Sequence, residues 1–236
     1  MSRICIIPAR GGSTRIPKKN IRPFLGKPLI AWSIEHALKT GLFERVIVTT
    51  DSEEIAAVAR EYGAEVPFRR DPALSDNYVS SYAAVIDAYK RVRDDGKQRT
   101  PITLVACFYA TAPLMDIRDV EKGVTLIEEG GADYVYSCCE FPFPIQRAVY
   151  LDREGAPHPF MPDCIPLRSQ DLTKAYQDAA QFYLYRPRLL EGDQARVISR
   201  ALPVRRFRVV DIDEEDDFIL AEALGRTIKE GGHADF

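Results

Sequence analysis

Solid apolar runs of strand length alternate along this chain with segments whose apolar residues fall at helical spacing. The runs are Ile4-Cys5-Ile6-Ile7, Val46-Ile47-Val48-Thr49-Thr50, Ile102 to Phe108 and Asp133 to Cys138. Such strands are buried on both faces, and that demands a mostly parallel sheet with helices on both sides. Crossovers between parallel strands are right-handed. The spacing predicts helices over 28–40, 53–62, 80–93 and 117–129, with Gly41 and Gly63 stopping the first two. A last strand is expected over Val204 to Ile212, then a helix over 215–230 that stops at Gly231.

The rhythm breaks after Glu140. Six prolines fall between Phe141 and Pro166, flanked by short strand-like runs at Gln146–Leu151 and Gln181–Tyr185. An excursion of this length in a compact domain is usually functional. One domain over 1–236 is therefore expected, with an arm inserted at about 141–175 that covers the site or reaches a second subunit. With 46% hydrophobic and 28% charged residues, wholesale disorder is excluded. A net charge of −3 offers no bulk basic surface for nucleic acid, so any basic cluster is local and aimed at a small anion. No apolar run approaches the ~20 residues that span a bilayer. The run before Pro8 is too short for a signal-peptide core, so a cytoplasmic protein is expected. Five cysteines without a CxxC pair read as reduced packing residues. Only His36, His158 and His233 are available, which leaves little material for a histidine-based nucleophile.

The first strand runs directly into Arg10-Gly11-Gly12-Ser13-Thr14-Arg15, then Lys18, Lys19 and Asn20. In open α/β sheets, ligands bind beyond the carboxyl ends of the strands. Gly11 and Gly12 let backbone N–H groups approach phosphate oxygens, and Arg10, Arg15, Lys18 and Lys19 surround them with positive charge. The string is neither a Walker A loop nor GxGxxG. It reads as a polyphosphate site.

At the other end, Val209-Val210-Asp211-Ile212-Asp213 places two carboxylates two residues apart, on one face of an extended chain. Two such carboxylates suit a hard divalent cation that keeps several waters, here Mg²⁺. Helix capping is the competing explanation for Asp213, with Glu214 and Glu215 following. Asp51 with Glu54 reads as a capping box. Mg²⁺ near cations and a polyphosphate implies phosphoryl or nucleotidyl transfer.

In order along the chain, IPARGGSTRIPKKN, VTTDSEEIA, YATAPL and VVDIDEEDD resemble the sugar-acid cytidylyltransferases, which activate nonulosonic acids with CTP. The resemblance runs from Ile4 to about Leu220. It implies a Rossmann-like nucleotidyltransferase fold with an inserted dimerisation arm, Mg²⁺, and a homodimer whose arms cross. Phe141 to Arg147, Arg168 to Asp171 and Tyr176 to Tyr183 resemble the branch that acts on pseudaminic acid. By the same resemblance, Arg10 and Lys19 take the places of triphosphate ligands, with Asn20 next to them. Ser13 falls in the cytidine-contacting loop, Arg70 in the nucleotide pocket, and Ser80 or Ser81 where the base is held. Asp211 and Asp213 match the Mg²⁺ carboxylates. Tyr109 and Thr111 fall at the sugar, with Arg168 and Gln181 in the acid-sugar pocket.

Three positions depart from the pattern. Thr14 stands where lysine is common, Ala180 where glycine is usual, and Leu184 where the pseudaminate branch tends to have tryptophan. Legionaminic acid, sialic acid and Kdo are the alternative sugars. An NAD-dependent oxidoreductase is a remoter reading, lacking its glycine fingerprint. A non-catalytic nucleotide binder would have little use for Asp211 and Asp213.

Overall fold

The computed structural model describes residues 2–76, 79–98 and 100–231. His233 lies outside the described residues. The elements follow in the order β1 (Ser2–Pro8), β2 (Pro23–Phe24), β3 (Lys27–Pro28), α1 (Leu29–Lys39), β4 (Arg45–Thr49), α2 (Glu53–Glu61), α3 (Ser81–Arg93), β5 (Ile102–Phe108) and α4 (Ile117–Glu128). Then come β6 (Tyr134–Glu140), β7 (Val149–Leu151), β8 (Pro157–Pro159), β9 (Tyr176–Tyr185), α5 (Pro187–Leu190), β10 (Ser199–Pro203) and α6 (Glu215–Glu230).

The main sheet has six strands in the order β10-β6-β9-β5-β1-β4. β1 pairs in parallel with both β4 and β5, and β10 with β6. β9 runs antiparallel between β5 and β6. The chain steps from β1 to β4 on one side and to β5 on the other, so the strand order reverses about β1. That reversal opens a crevice at the carboxyl end of β1.

Successive residues of β1 serve opposite faces. Cys5 and Ile7 join the α1, α2 and α4 layer, through residues such as Ile30, Ile55 and Val124. Ile4 and Ile6 join the other layer, against Val85 and Tyr89 of α3 and Leu189 of α5. Burial on both sides explains why these strands read as unbroken apolar runs. In a third cluster, α6 packs Phe218 and Ala221 against Phe24, Trp32 and Ile212. This cluster fixes the chain segment that carries Asp211 and Asp213.

The expected strand over Val204 to Ile212 does not form. The ladder with β6 runs from Ser199 to Pro203, a short helical turn covers Arg206–Arg208, and 209–213 is irregular. The segment leaves the sheet edge: Val204 and Val209 still pack on the sheet cluster, Phe207 is exposed, and Val210 and Ile212 join the α6 cluster. The strand-like run at 181–185 extends back to Tyr176 and pairs with two partners. Within the proline-rich segment, β7 and β8 form a small hairpin of their own.

Candidate active site

A cavity of about 250 Å³ lies over the crevice. The loop after β1 contributes Arg10, Ser13, Arg15, Lys19 and Asn20 to its wall. Arg70 comes from the segment after α2, Ser80 and Ser81 from the start of α3, and Tyr109 and Thr111 from the exit of β5. Asp211 and Asp213 close the remaining side. Residues from five parts of the sequence thus meet where the strand order reverses.

Each is held in place by identifiable bonds. Asn20 is buried, and its Nδ2 donates to the carbonyl of Arg10 at 2.9 Å, which fixes the loop. Arg70 is only 4% exposed. Its guanidinium donates to the backbone oxygen of Thr49 and, at 3.2 Å, to Thr49 Oγ1. Burial lowers its pKa, while the charge of Asp51 acts in the opposite direction. An arginine stays protonated under both influences, so the cavity has a fixed positive floor. Ser80 caps α3, accepting from Ala83 N at 3.2 Å.

The loop glycines do something other than expected. Gly11 N donates to Asp51 Oδ1 at 2.8 Å, so that N–H faces the carboxylate and not a phosphate. A Cβ on Gly11 would stand 3.0 Å from Ser52 Cβ. Glycine is needed here for the close approach of the loop to the start of α2. Neither Gly11 nor Gly12 lines the cavity. Asp51 is also not the capping residue: Ser52 caps α2, accepting from Ile55 N at 3.4 Å. Lys18 lies away from the cavity, 2.7 Å from Glu54, which removes one of the four expected cations.

At the acidic side, Ile212 is fully buried while Asp211 and Asp213 stay accessible, the alternation that the sequence suggested. Asp213 does not cap α6. That helix begins at Glu214 with a capping box closed by Asp217, which also accepts from Asp213 N at 3.0 Å. The Asp213 carboxylate meets Arg15 at 2.8 Å and Lys19 at 3.1 Å. Lys19 Nζ also donates to the carbonyl of Ile212. Burial alone would raise the pKa of Asp213, but Lys19 and Arg15 outweigh it and hold it low. Asp211 is raised, by burial first and then by the charge of Asp213. Two adjacent hard oxygen donors beside a cationic wall fit a divalent ion. No group of three or more His, Cys, Asp or Glu suited to a metal occurs among the described residues. An ion here would complete its shell with water and phosphate oxygens.

Two expected residues are not on the cavity. Arg168 sits on the inserted arm and is bonded to Asp171 at 2.8 Å. Gln181 is buried, and its Nε2 donates to the carbonyl of Arg208 at 2.5 Å. Its backbone oxygen accepts from Tyr109 N at 2.9 Å. Gln181 therefore ties the β5 exit to the segment that leads into Asp211.

A second cavity, of about 670 Å³, adjoins the first and shares Ser80, Ser81 and Tyr109 with it. Tyr134, Tyr183, Tyr185 and Asp178 line it, and none of these was singled out as a site residue from sequence. The signal was available: Tyr183 and Tyr185 are two apart on one strand, so they share a face.

A cationic loop, buried arginine and paired aspartates at the switch point of this sheet define a nucleotidyltransferase. The fold agrees with a solved structure of CMP:2-keto-3-deoxy-manno-octonic acid synthetase complexed with CTP, at a TM-score of 0.70 and 18% identity, covering 96% of this chain and 99% of that one. A family model described as Cytidylyltransferase matches residues 4–191, and the chain belongs to that family. It is 43% identical over 226 residues to a pseudaminic acid cytidylyltransferase of Campylobacter jejuni subsp. jejuni serotype O:23/36 (strain 81-176), covering 95% of this chain and 96% of that protein. It is 31% identical over 220 residues to N-acylneuraminate cytidylyltransferase A of Danio rerio, covering 92% of this chain and 49% of that protein.

Proposed function

We propose that the chain transfers the cytidylyl group of CTP to an acidic nine-carbon sugar, with pseudaminic acid the preferred acceptor, and releases pyrophosphate. The observation that carries this reading is the joining of two unlike cavities at Tyr109, Ser80 and Ser81. One is walled by Arg10, Arg15, Lys19 and Arg70 and suits a triphosphate. The other is lined by tyrosines and suits the faces of a sugar. Identity of 43% to a pseudaminic acid cytidylyltransferase over nearly the whole length supports the choice of sugar.

CTP lies across the strand ends. Arg10, Arg15 and Lys19 hold its phosphates, and Ser13, Ser80 and Ser81 surround the nucleoside with Arg70 beneath. Asn20 keeps the loop shaped for this contact through the Arg10 carbonyl. Tyr109 and Thr111 orient the sugar so that its anomeric C2 hydroxyl faces the α-phosphorus. That oxygen attacks in line, its proton passing to solvent as the bond to the α-phosphorus forms, and the bond to pyrophosphate breaks, the leaving charge balanced by Lys19 and Arg15. Positioning and charge neutralisation supply most of the rate. Asp211 and Asp213 are the residues that would hold Mg²⁺, which when bound acts as a Lewis acid toward phosphate oxygens.

The chain is one domain over 1–236 that works in the cytoplasm as a homodimer, with the arm at about 141–175 reaching the partner. Arg168 then serves the neighbouring subunit's acid-sugar pocket, as a two-pronged donor to the substrate carboxylate. Pyrophosphate release, assayed with each of the four nucleoside triphosphates and with pseudaminic, legionaminic and sialic acids and Kdo, tests the reading. Turnover confined to CTP and greatest with pseudaminic acid is expected. Turnover of sialic acid at least as efficient as that of pseudaminic acid overturns the choice of sugar.

A further inference from the structure

The second cavity has a polarity opposite to the first. Among the described residues that line it, Asp178 alone carries a charge. Its other polar groups, Ser80, Ser81, Gln194 and Ser199 among them, are neutral, and five tyrosines give it an aromatic wall. Tyr134 stacks on Tyr185 with centroids 5.1 Å apart, Tyr82 lies 5.6 Å from Tyr185, and Tyr109 lies 5.1 Å from Tyr183. Burial raises the pKa of Tyr134, Tyr183 and Tyr185, so these phenols are neutral at working pH. Asp178 is firmly oriented. Its Oδ1 accepts from Ala180 N at 2.8 Å, and its Oδ2 accepts from the Tyr183 hydroxyl at 2.9 Å. A carboxylate has about four acceptor sites, so each oxygen can take a further donor from a ligand.

We propose that Asp178 is a specificity-determining residue that reads the uncharged tail of the sugar. It accepts a hydrogen bond from an acetamido N–H there, and it repels the sugar's own carboxylate. Resting on the reading of the chain as a sugar-acid cytidylyltransferase, the inference fixes the direction in which the acceptor lies. The carboxylate end sits toward the first cavity, on the side that Arg168 of the neighbouring subunit reaches, and the tail sits in the tyrosine chamber. A sugar entering the other way round would bring two carboxylates together in a chamber with no cation among its described lining residues. The kinked backbone serves this arrangement: Ala180 has φ 50°, and its N–H turns back to Asp178. Asp178 is thus held by its own strand before any ligand arrives.

The test compares wild type, Asp178→Asn and Asp178→Ala in steady-state pyrophosphate release with CTP. The acceptors are pseudaminic acid, whose tail carries acetamido groups, and Kdo, whose tail carries hydroxyls only. A hydrogen bond to a charged group corresponds to about a 10- to 150-fold change. In both variants the KM for pseudaminic acid rises by about 10-fold or more, the KM for CTP stays within about two-fold, and the preference over Kdo narrows. If the KM for pseudaminic acid stays within two-fold, or if the CTP KM rises alongside it, Asp178 does not read the tail. Melting curves check that the variants fold. Should either variant fail to fold, wild type alone decides: at least about a ten-fold preference in kcat/KM for pseudaminic acid over Kdo is required, and equal values overturn the proposal. No turnover with any sugar acid overturns the underlying functional reading instead, and is a distinct result.

Discussion

At the residue scale, Asp213 and Lys19 do two things at once. They pair with each other across the cavity at 3.1 Å, and they stand where a triphosphate and its ion would sit. Ligand binding must therefore rearrange a charge network already satisfied within the chain. Lys19→Ala and Arg10→Ala are each expected to lower kcat/KM for CTP by about 10- to 150-fold, the range for one charge-assisted hydrogen bond. Unchanged kcat/KM in both variants would remove the loop from the reaction. Asp211→Asn keeps size and hydrogen bonding while removing a charge. If it helps hold the ion, kcat falls about 10²-fold at saturating Mg²⁺, for a loss of about 3 kcal/mol of transition-state stabilisation. CTP affinity and melting temperature should change far less. Because Glu214 and Asp217 form the α6 cap, capping offers no rival explanation for a deficient Asp213→Asn enzyme. Near wild-type turnover in both asparagine variants would return these aspartates to a structural role.

At the scale of elements, α1 carries a pH-sensitive weakness. His36 is buried against Trp32, and neither of its ring nitrogens has a hydrogen-bond partner among the described residues. Burial, reinforced by the charges of Lys39, Lys27 and Arg208, pushes its pKa down to about 3. The unfolded chain takes up this proton near pH 6.5 and the folded chain only near 3, so the unfolded state binds more protons in between. Stability therefore falls as pH drops below 6.5, by about 1.4 kcal/mol per unit. Lowering the pH from 7.5 to 5.5 should cost about 3–5 °C of melting temperature through His36. In His36→Leu that part of the drop disappears, and an identical pH dependence in the variant would contradict the assignment. Helices α1 to α4 and α6 and strands β1, β4, β5 and β6 were legible from apolar runs and 3.6-residue repeats; α5 and the parallel strand β10, short and in β10 mostly exposed, were not. The segment 204–212 was not, because its apolar residues are divided between the sheet cluster, which takes Val204 and Val209, and the α6 cluster, which takes Val210 and Ile212. Gln181, assigned to the sugar pocket by resemblance alone, is buried in this chain with its amide on the Arg208 carbonyl, a partner no sequence pattern announces. Arg10, Lys19 and Asp211 stood out in the sequence as a cationic loop and a carboxylate pair, whereas Arg70, Ser80 and Tyr109 carried no such local pattern and were placed by resemblance; all six line one cavity. Asp178 and the tyrosine chamber depend on β9 threading between β5 and β6, a pairing the sequence does not announce.

At the scale of the whole molecule, the arm exposes apolar side chains that a lone chain has no reason to keep in water. Phe143 is 78% exposed, and Leu151 and Phe160 are each 65% exposed. If the arm packs against a second copy, these side chains are the ones that contact would cover. Light scattering should give twice 26.6 kDa at micromolar concentration, and Leu151→Asp with Phe160→Asp should shift the mass toward one chain and lower turnover. A wild-type mass of one chain would leave Arg168 without a site to serve. The central claim is that one continuous pair of cavities joins CTP to a sugar acid. The most direct measurement incubates the full chain with α-³²P-labelled CTP, pseudaminic acid and Mg²⁺, and follows label and pyrophosphate together. Equimolar formation of pyrophosphate and a labelled CMP-sugar, dependent on the sugar, is the expected result. Pyrophosphate or CMP appearing at the same rate without sugar, or no transfer of label to any sugar acid, would contradict it.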